Sequence, residues 1–232
     1  MAVQDYRLHC ISINFVNVYL IYRKGEAILV DTGRKGDEVK ILDEMQKLGI
    51  REKDLKLILL THSHYDHAGS ARRLRDICGC PLAIHKSEAS RLEAGRAPIP
   101  SGTRWKASVL VLLGRIFARS MMKFPSVLPD ILVDKEFSLA EFAFPGRAIH
   151  CPGHTPGSLV LALDGGEMIT GDSMFGLEGK RIFPPFAEDV SELKKSWKKI
   201  SLLDSHTYYP AHGVSIKREN FLQEFSELPG SQ

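Results

Sequence analysis

The residue types best suited to chemistry lie close together, at His62, His64, Asp66 and His67. They follow an apolar run over residues 57–60 that is typical of a buried strand. A buried strand has no use for such side chains, whereas imidazole nitrogens and carboxylate oxygens are common ligands of divalent metals. The sequence therefore predicts a metal site at the end of this strand.

The spacing of these residues favours ligands that point in more than one direction. His62 and His64 are two apart, so an extended chain places both side chains on one face. Asp66 and His67 fall where a helix is expected to begin, and a carboxylate suits the positive end of a helix dipole. The pattern differs from H-E-x-x-H, in which the ligands share one helical face. Ligands on a strand end, a turn and a helix start can diverge into two neighbouring pockets.

Three further candidates, His154, Asp172 and His212, lie in loops or at predicted strand ends in the second half of the chain. Together with the first cluster they are too many for one tetrahedral ion. They suit two ions that share a bridging carboxylate and a bridging water. Four other histidines have no comparable context and are not predicted to be ligands: His9, His85, His150 and His206.

The composition is that of a soluble globular protein. The 232 residues can bury a substantial core, and a net charge of +3 does not by itself argue for nucleic acid. The N-terminus has no basic segment followed by an apolar run, and no stretch is apolar for long enough to span a bilayer. These features predict a cytoplasmic protein.

The cysteines are expected to be reduced and mostly buried, because no C-x-x-C pair occurs and Cys78 and Cys80 are too close for a relaxed disulfide. The others are Cys10 and Cys151. A metal-binding role is weighed only for Cys151, which lies three residues before His154.

The elements that must position these residues alternate between strands and helices. Apolar runs and turn signals predict strands over 8–14, 17–22, 27–30, 55–60 and 81–85, and helices over 37–48 and 70–77. Further strands are predicted over 131–133, 136–139, 141–149, 159–163, 167–170 and 207–209, and helices over 189–203 and 217–225. Two β-rich halves of this kind favour an α/β fold with two sheets face to face and helices outside.

Two features leave alternatives open. Asp31 ends the third strand and either caps the next turn or orients a metal-binding imidazole. Residues 95–130 break the alternation and contain an amphipathic helix over 108–124 with Arg115, Arg119 and Lys123 on one face. A solvated surface helix is the favoured interpretation, and the alternatives are a lid, a homodimer contact or a surface for lipid head groups.

The segment T-H-S-H-Y-D-H-A-G at 61–69 resembles the H-x-H-x-D-H signature of the metallo-β-lactamase superfamily. The motifs at 30–33, 152–158, 171–172 and 211–213 are similar to other motifs of that family, in the same order. The resemblance covers nearly the whole chain, so it implies a single domain over 1–232 with a helical insertion at about 95–130, a four-layer αββα sandwich, and a site at one edge between the sheets. It further implies a first metal on His62, His64 and His154, a second on Asp66, His67 and His212, a bridging Asp172, and an Asp31 that supports a ligand.

The family resemblance implies a dinuclear metal-dependent hydrolase. Two divalent cations lower the pKa of the water between them, and the resulting hydroxide attacks a thioester, lactone or related ester. Asp66 orients the nucleophile and carries a proton to the leaving group. Zinc is the predicted metal, although iron and manganese accept the same ligands. The expected partner is a small-molecule substrate, and no nucleic acid is expected.

Two other activities remain open in this family. One is hydrolysis of a small or lipid-like phosphodiester, which the basic stripe at 115–123 would favour. The other is a persulfide dioxygenase with one iron on His62, His154 and Asp172, which would leave the remaining ligands idle. Hydroxyacylglutathione hydrolases of this family carry a helical C-terminal substrate domain, whereas 20 residues follow His212, so that specific activity is not expected.

Overall fold

The computed structural model of the chain describes residues 6–98, 101–103, 122–177 and 181–228. Its first half forms a six-stranded sheet in the order β1-β2-β3-β4-β5-β7. The strands of this half are β1 (Arg7–Ile13), β2 (Val16–Arg23), β3 (Glu26–Val30), β4 (Leu55–Leu59), β5 (Leu82–His85), β6 (Ser101–Gly102) and β7 (Ile131–Val133). The first three strands pair antiparallel, and β3, β4, β5 and β7 run parallel. Parallel strands covered on both faces are mostly apolar, and four of the five residues of β4 are apolar, the exception being Lys56.

The helices of the first half are α1 (Glu38–Lys47), α2 (Tyr65–Ala68), α3 (Ala71–Cys78) and α4 (Ala89–Glu93). Ile41 and Met45 of α1 are one helical turn apart and are both buried, so they form the face that packs on the sheet. Helix α3 ends at Gly79, whose φ of 66° is a left-handed conformation that glycine adopts without a Cβ clash.

The second half forms another six-stranded sheet in the order β14-β13-β11-β10-β9-β8. The strands of this half are β8 (Glu136–Ser138), β9 (Gly146–His150), β10 (Leu159–Leu163), β11 (Glu167–Gly171), β12 (Phe186–Ala187), β13 (Thr207–Pro210) and β14 (Ile216–Lys217). Its helices are α5 (Val190–Ser201) and α6 (Arg218–Glu227). Short strands β6 and β12 pair separately.

Three apolar clusters separate four layers. Alternate residues of one strand point to opposite faces of its sheet, so Leu29 packs on the helix side of the first sheet while Ile28 packs between the sheets. In the second sheet, Leu161 faces the middle and Val160 faces α5, where Trp197 is fully buried. The arrangement of helix, sheet, sheet and helix confirms the predicted αββα sandwich. Among the described residues, none of the helices is long and apolar enough to cross a membrane.

The predicted strand over 141–149 is wrong in its first part. Residues Leu139–Phe142 form a 3-10 turn, and the strand begins only at Gly146. The side chain of Ser138 accepts a hydrogen bond from the N–H of Ala140, and Ala143 takes a left-handed φ of 60°. These local features end the extended conformation.

Most of the predicted helix over 108–124 lies outside the described residues, which omit 104–121. At its end, Lys123 forms an isolated bridge with Arg96. The helix, the homodimer contact assigned to it and the domain assignment over 1–232 stay predictions.

Candidate metal centre

All seven predicted site residues come together where strand ends of both sheets meet. The N–H of Leu159 donates to Thr61 O at 2.9 Å, and the N–H of Ala211 donates to Gly171 O at 3.0 Å, so backbone hydrogen bonds hold the loops to one another. The side chains form two groups, and within each group the ligand atoms lie within 4.8 Å of one another. The first group is His62, His64, His154 and Asp172, and the second is Asp66, His67 and His212.

In the first group, three imidazole nitrogens point at one another. His62 Nε2 lies 2.9 Å and His154 Nε2 lies 3.1 Å from His64 Nδ1. Ligands about 2.0–2.1 Å from a tetrahedral ion are separated by roughly 3.3 Å, so these nitrogens need little adjustment to share one ion. Burial and the neighbouring imidazoles hold the pKa of His62 and of His64 well below 6.5, which keeps both rings in the neutral form that binds metal.

Asp172 joins the two groups through its two oxygens. Its Oδ2 lies 3.3 Å from His154 Nε2, while its Oδ1 lies 3.4 Å from both His67 Nε2 and His212 Nε2. Burial would raise the pKa of Asp172, but the neighbouring imidazoles, His212 foremost, outweigh it and hold the pKa well below 3.8. The residue is therefore an anion between the two groups.

The second group is more open to solvent on one side. The Asp66 side chain is 14% exposed, and its Oδ2 lies 3.8 Å from His212 Nε2. Burial lowers the pKa of His67, but Asp172 and Asp31 outweigh it and raise that pKa well above 6.5. The positive charge on His67 thus compensates the negative charges of Asp172 and Asp31.

Unsatisfied atoms show that the residues present fit a cation. His67 Nε2 and Asp172 Oδ1 are buried, and among the described residues neither makes a well-directed hydrogen bond. Leaving such atoms without a partner costs about 1–3 kcal/mol each. Metal ions held by the two groups would satisfy both atoms.

Hydrogen bonds behind the ligands fix which nitrogen each ring presents. The Thr61 hydroxyl donates to Asp31 Oδ2 at 2.8 Å, so it is free to accept from the Nδ1–H of His62 at 3.1 Å. The Nδ1–H of His67 donates to the same Asp31 oxygen at 2.9 Å. In their neutral forms, with the proton on Nδ1, both rings direct the Nε2 lone pair into the site.

Backbone carbonyls likewise fix which ring nitrogen the two histidines of the second half present to the site. His154 Nδ1 donates to Phe186 O at 3.0 Å, and His212 Nδ1 donates to Phe15 O at 2.5 Å. Because a carbonyl can only accept, the proton lies on Nδ1 and Nε2 is available as a ligand atom.

Asp31 therefore orients imidazoles of the site, which is one of the two interpretations that its position in the sequence left open. It also accepts the Thr61 N–H at 2.8 Å and adopts an unusual φ of 62°.

Sequence reasoning missed Glu88, a fully buried carboxylate that contacts the loops carrying the first group. No signal along the chain could have found it, because its partners are distant in sequence.

The histidines that were not predicted to be ligands lie outside the two groups. The rings of His85 and His150 stack at 3.8 Å between centroids, apart from the ligands. Cys151 is fully buried in the apolar cluster beneath α5 and belongs to neither group. All four cysteines are free, as predicted.

Comparison with known proteins gives a consistent result. The family described as Metallo-beta-lactamase superfamily matches residues 12–212. Probable metallo-hydrolase YflN of Bacillus subtilis (strain 168) is 25% identical over 238 residues, which cover 95% of this chain and 89% of that protein. A hydroxyacylglutathione hydrolase of Pelagibacter ubique (strain HTCC1062) is 24% identical, with 92% and 72% covered. The crystal structure of a metallo-beta-lactamase family protein from Thermus thermophilus superimposes with a TM-score of 0.71 at 21% identity, covering 98% of this chain and 80% of that one.

Proposed function

Since this chain belongs to the metallo-beta-lactamase superfamily, we propose that it hydrolyses its substrate with two divalent ions, for which the ligands favour zinc. Two of its relatives are named as probable metallo-hydrolases. One observation carries the proposal: the two oxygens of Asp172 face different histidine groups, at 3.3 Å on one side and 3.4 Å on the other. We assign the first ion to His62, His64 and His154 and the second to Asp66, His67 and His212, with Asp172 shared.

Ions bound by these residues would supply a water of lowered pKa as the nucleophile and would polarise the carbonyl of the substrate. The side chains of the protein position the reacting groups and transfer the protons. Asp66 is the most exposed carboxylate of the cluster, with 14% of its side chain open. Its oxygens can therefore orient the attacking water and accept its proton, and the same carboxyl can deliver that proton to the leaving group. Asp172, which is anionic and buried, keeps the two ligand groups at a fixed separation.

For the substrate we propose a thioester, a lactone or a related ester. The relative named hydroxyacylglutathione hydrolase, which aligns with 92% of this chain, supports thioester chemistry. The assembled second group argues against a mononuclear iron dioxygenase, which would leave Asp66, His67 and His212 without a role.

The test begins with the metal content of the purified protein and continues with a panel of acyl thioesters, lactones and bis(p-nitrophenyl) phosphate. We expect about two zinc ions per chain and turnover of a thioester or lactone. Asp172→Ala and His154→Ala should lose activity and bind less metal while the fold persists. His206→Ala is the matched control, because His206 is an exposed histidine outside both groups.

Each other outcome contradicts a defined part of the proposal. One iron per chain would refute the two-metal assignment and favour the dioxygenase. Turnover of the phosphodiester alone would refute the ester substrates. Full activity of Asp172→Ala on a confirmed substrate would refute the bridging role.

A further inference from the structure

A buried carboxylate lies behind the first ligand group without belonging to it. Glu88 ends the 3-10 turn Lys86–Glu88 that follows β5, and its side chain is fully buried. Burying a carboxylate is costly unless hydrogen bonds or charges compensate it. Its partners therefore indicate what the residue is for.

The two oxygens of Glu88 hold two different loops. Oε2 accepts hydrogen bonds from the backbone N–H of Ser63 at 3.2 Å and from the Ser63 hydroxyl. Oε1 accepts the N–H of Gly157 at 3.0 Å. Ser63 stands directly before His64, and Gly157 lies in the loop of His154. One carboxylate thus ties together the two chain segments whose imidazoles meet in the first group.

Arg91 extends this contact to the other side of the His154 loop. Its Nη1 lies 3.7 Å from Glu88 Oε1, and its two terminal nitrogens donate to Glu188 at 2.6 and 2.9 Å. The N–H of Glu188 in turn donates to His154 O at 3.0 Å. The guanidinium compensates both carboxylates while the chain of contacts reaches the backbone of a ligand.

The fit leaves no spare room. A Cβ added at Gly157 would lie 2.5 Å from Glu88 Cγ, so a glycine is needed for the loop to approach the carboxylate this closely. The second group is supported by other residues, since His67 bonds to Asp31 and His212 bonds to Phe15 O. A change at Glu88 should therefore act on one ligand group and not on the other.

We infer that Glu88 is a positioning residue that sets the distance between the His62–His64 segment and the His154 loop, and so preorganises the first metal site. The inference rests on the proposed two-metal function. Ligands held in place before the ion arrives cost less to order on binding, and residues behind the ligands commonly change metal affinity by about 10–100-fold.

The test is a stepwise titration of the metal-free protein with Zn²⁺ against a chromophoric chelator, in the wild type and in Glu88→Gln. Glutamine keeps the size of the side chain but has one acceptor oxygen, so its NH₂ group must face one of the two N–H donors and release that loop. We expect the dissociation constant of the first ion to rise about 10–100-fold, and that of the second to stay within about threefold. The step lost in His154→Ala identifies the first ion.

Glu224→Gln is the matched control, because Glu224 also accepts two backbone N–H groups, from Ile182 at 2.8 Å and Phe183 at 2.9 Å, and none of these residues belongs to either ligand group. It should leave both constants unchanged. Ser63→Ala is a milder variant that keeps the carboxylate and removes one donor. It should weaken the first ion by a few-fold, and it serves if Glu88→Gln does not fold.

The outcomes separate this inference from the function on which it rests. A wild type that binds one ion refutes the two-metal function. A wild type that binds two, with Glu88→Gln and Ser63→Ala unchanged or equally weakened at both ions, refutes the role of Glu88. A positioning role also predicts that saturating Zn²⁺ restores kcat in Glu88→Gln, since the side chain of Glu88 is fully buried behind the ligands. A kcat that stays low at full occupancy would contradict it.

Discussion

Replacing Asp31 by asparagine should weaken the second metal site and spare the first. The carboxylate makes hydrogen bonds to the N–H of Thr61 at 2.8 Å and to His67 Nδ1 at 2.9 Å. Asparagine preserves the shape, tolerates the φ of 62°, and can still accept from Thr61. Its NH₂ group, however, cannot accept the Nδ1–H of His67. That ring must either lose its partner or move its proton to Nε2, where a metal needs the lone pair.

The size of the effect follows from the hydrogen bond that is lost. A hydrogen bond to a charged group contributes about 1.5–3 kcal/mol, and about 1.4 kcal/mol corresponds to a tenfold change in affinity. The dissociation constant of the second ion should therefore rise about 10- to 100-fold, the usual range for residues behind a metal ligand. Asp31 is linked to His62 only through the Thr61 hydroxyl, so the affinity for the first ion should fall by no more than about threefold.

The assay is the same chelator competition, read together with the zinc content after dialysis. Asp130→Asn is the matched control, because Asp130 accepts the N–H of Leu82 at 2.9 Å and pairs with Arg75, and none of these three residues belongs to either ligand group. Equal weakening of both ions in Asp31→Asn, or no weakening at all, would refute the reasoning from the His67 tautomer.

Three further predictions concern stability. Trp197→Ala should lower the free energy of unfolding by about 3–5 kcal/mol in urea titrations, because the indole is fully buried and donates to Ser173 O at 2.7 Å; a loss below about 1 kcal/mol would contradict this. Burial and His150 lower the pKa of His85 below 6.5, so the unfolded chain binds that proton more readily and stability should fall as the pH drops through about 6.5. The fall between about pH 7.5 and 5.5 should be smaller in His85→Gln, and an identical fall would count against it. Removing the metals with a chelator should lower Tm reversibly, since an ion at about 100 times its Kd adds about 2.7 kcal/mol; an unchanged Tm would show that the ions do not favour the folded state.

The local sequence was sufficient to predict the elements whose apolar residues are buried at regular spacing. The apolar run of β4 and the periodic face of α1 are set by burial alone, so composition and spacing predict them. It failed over the first part of 141–149, before the strand begins at Gly146, because the side-chain contact of Ser138 and the left-handed Ala143 outweigh a strand-like composition.

For the site, the clustering of the seven candidate ligands could be predicted because several imidazoles and carboxylates stand in motifs. The residues behind them could not. Glu88 is one of 28 acidic residues, and nothing in its neighbourhood along the chain distinguishes it from a solvated one. Its role depends on Ser63 and Gly157, which only the docking of the two sheets brings together.

The distribution of the ligands over the chain has a consequence for biosynthesis. His62, His64, Asp66 and His67 leave the ribosome well before His212. At about 5–20 residues per second, that interval is on the order of ten seconds. An ion captured early in it would have neither Asp172 nor His154 and would exchange freely. Each of the two ligand groups is therefore complete only after the second half of the chain has been synthesised and has folded against the first.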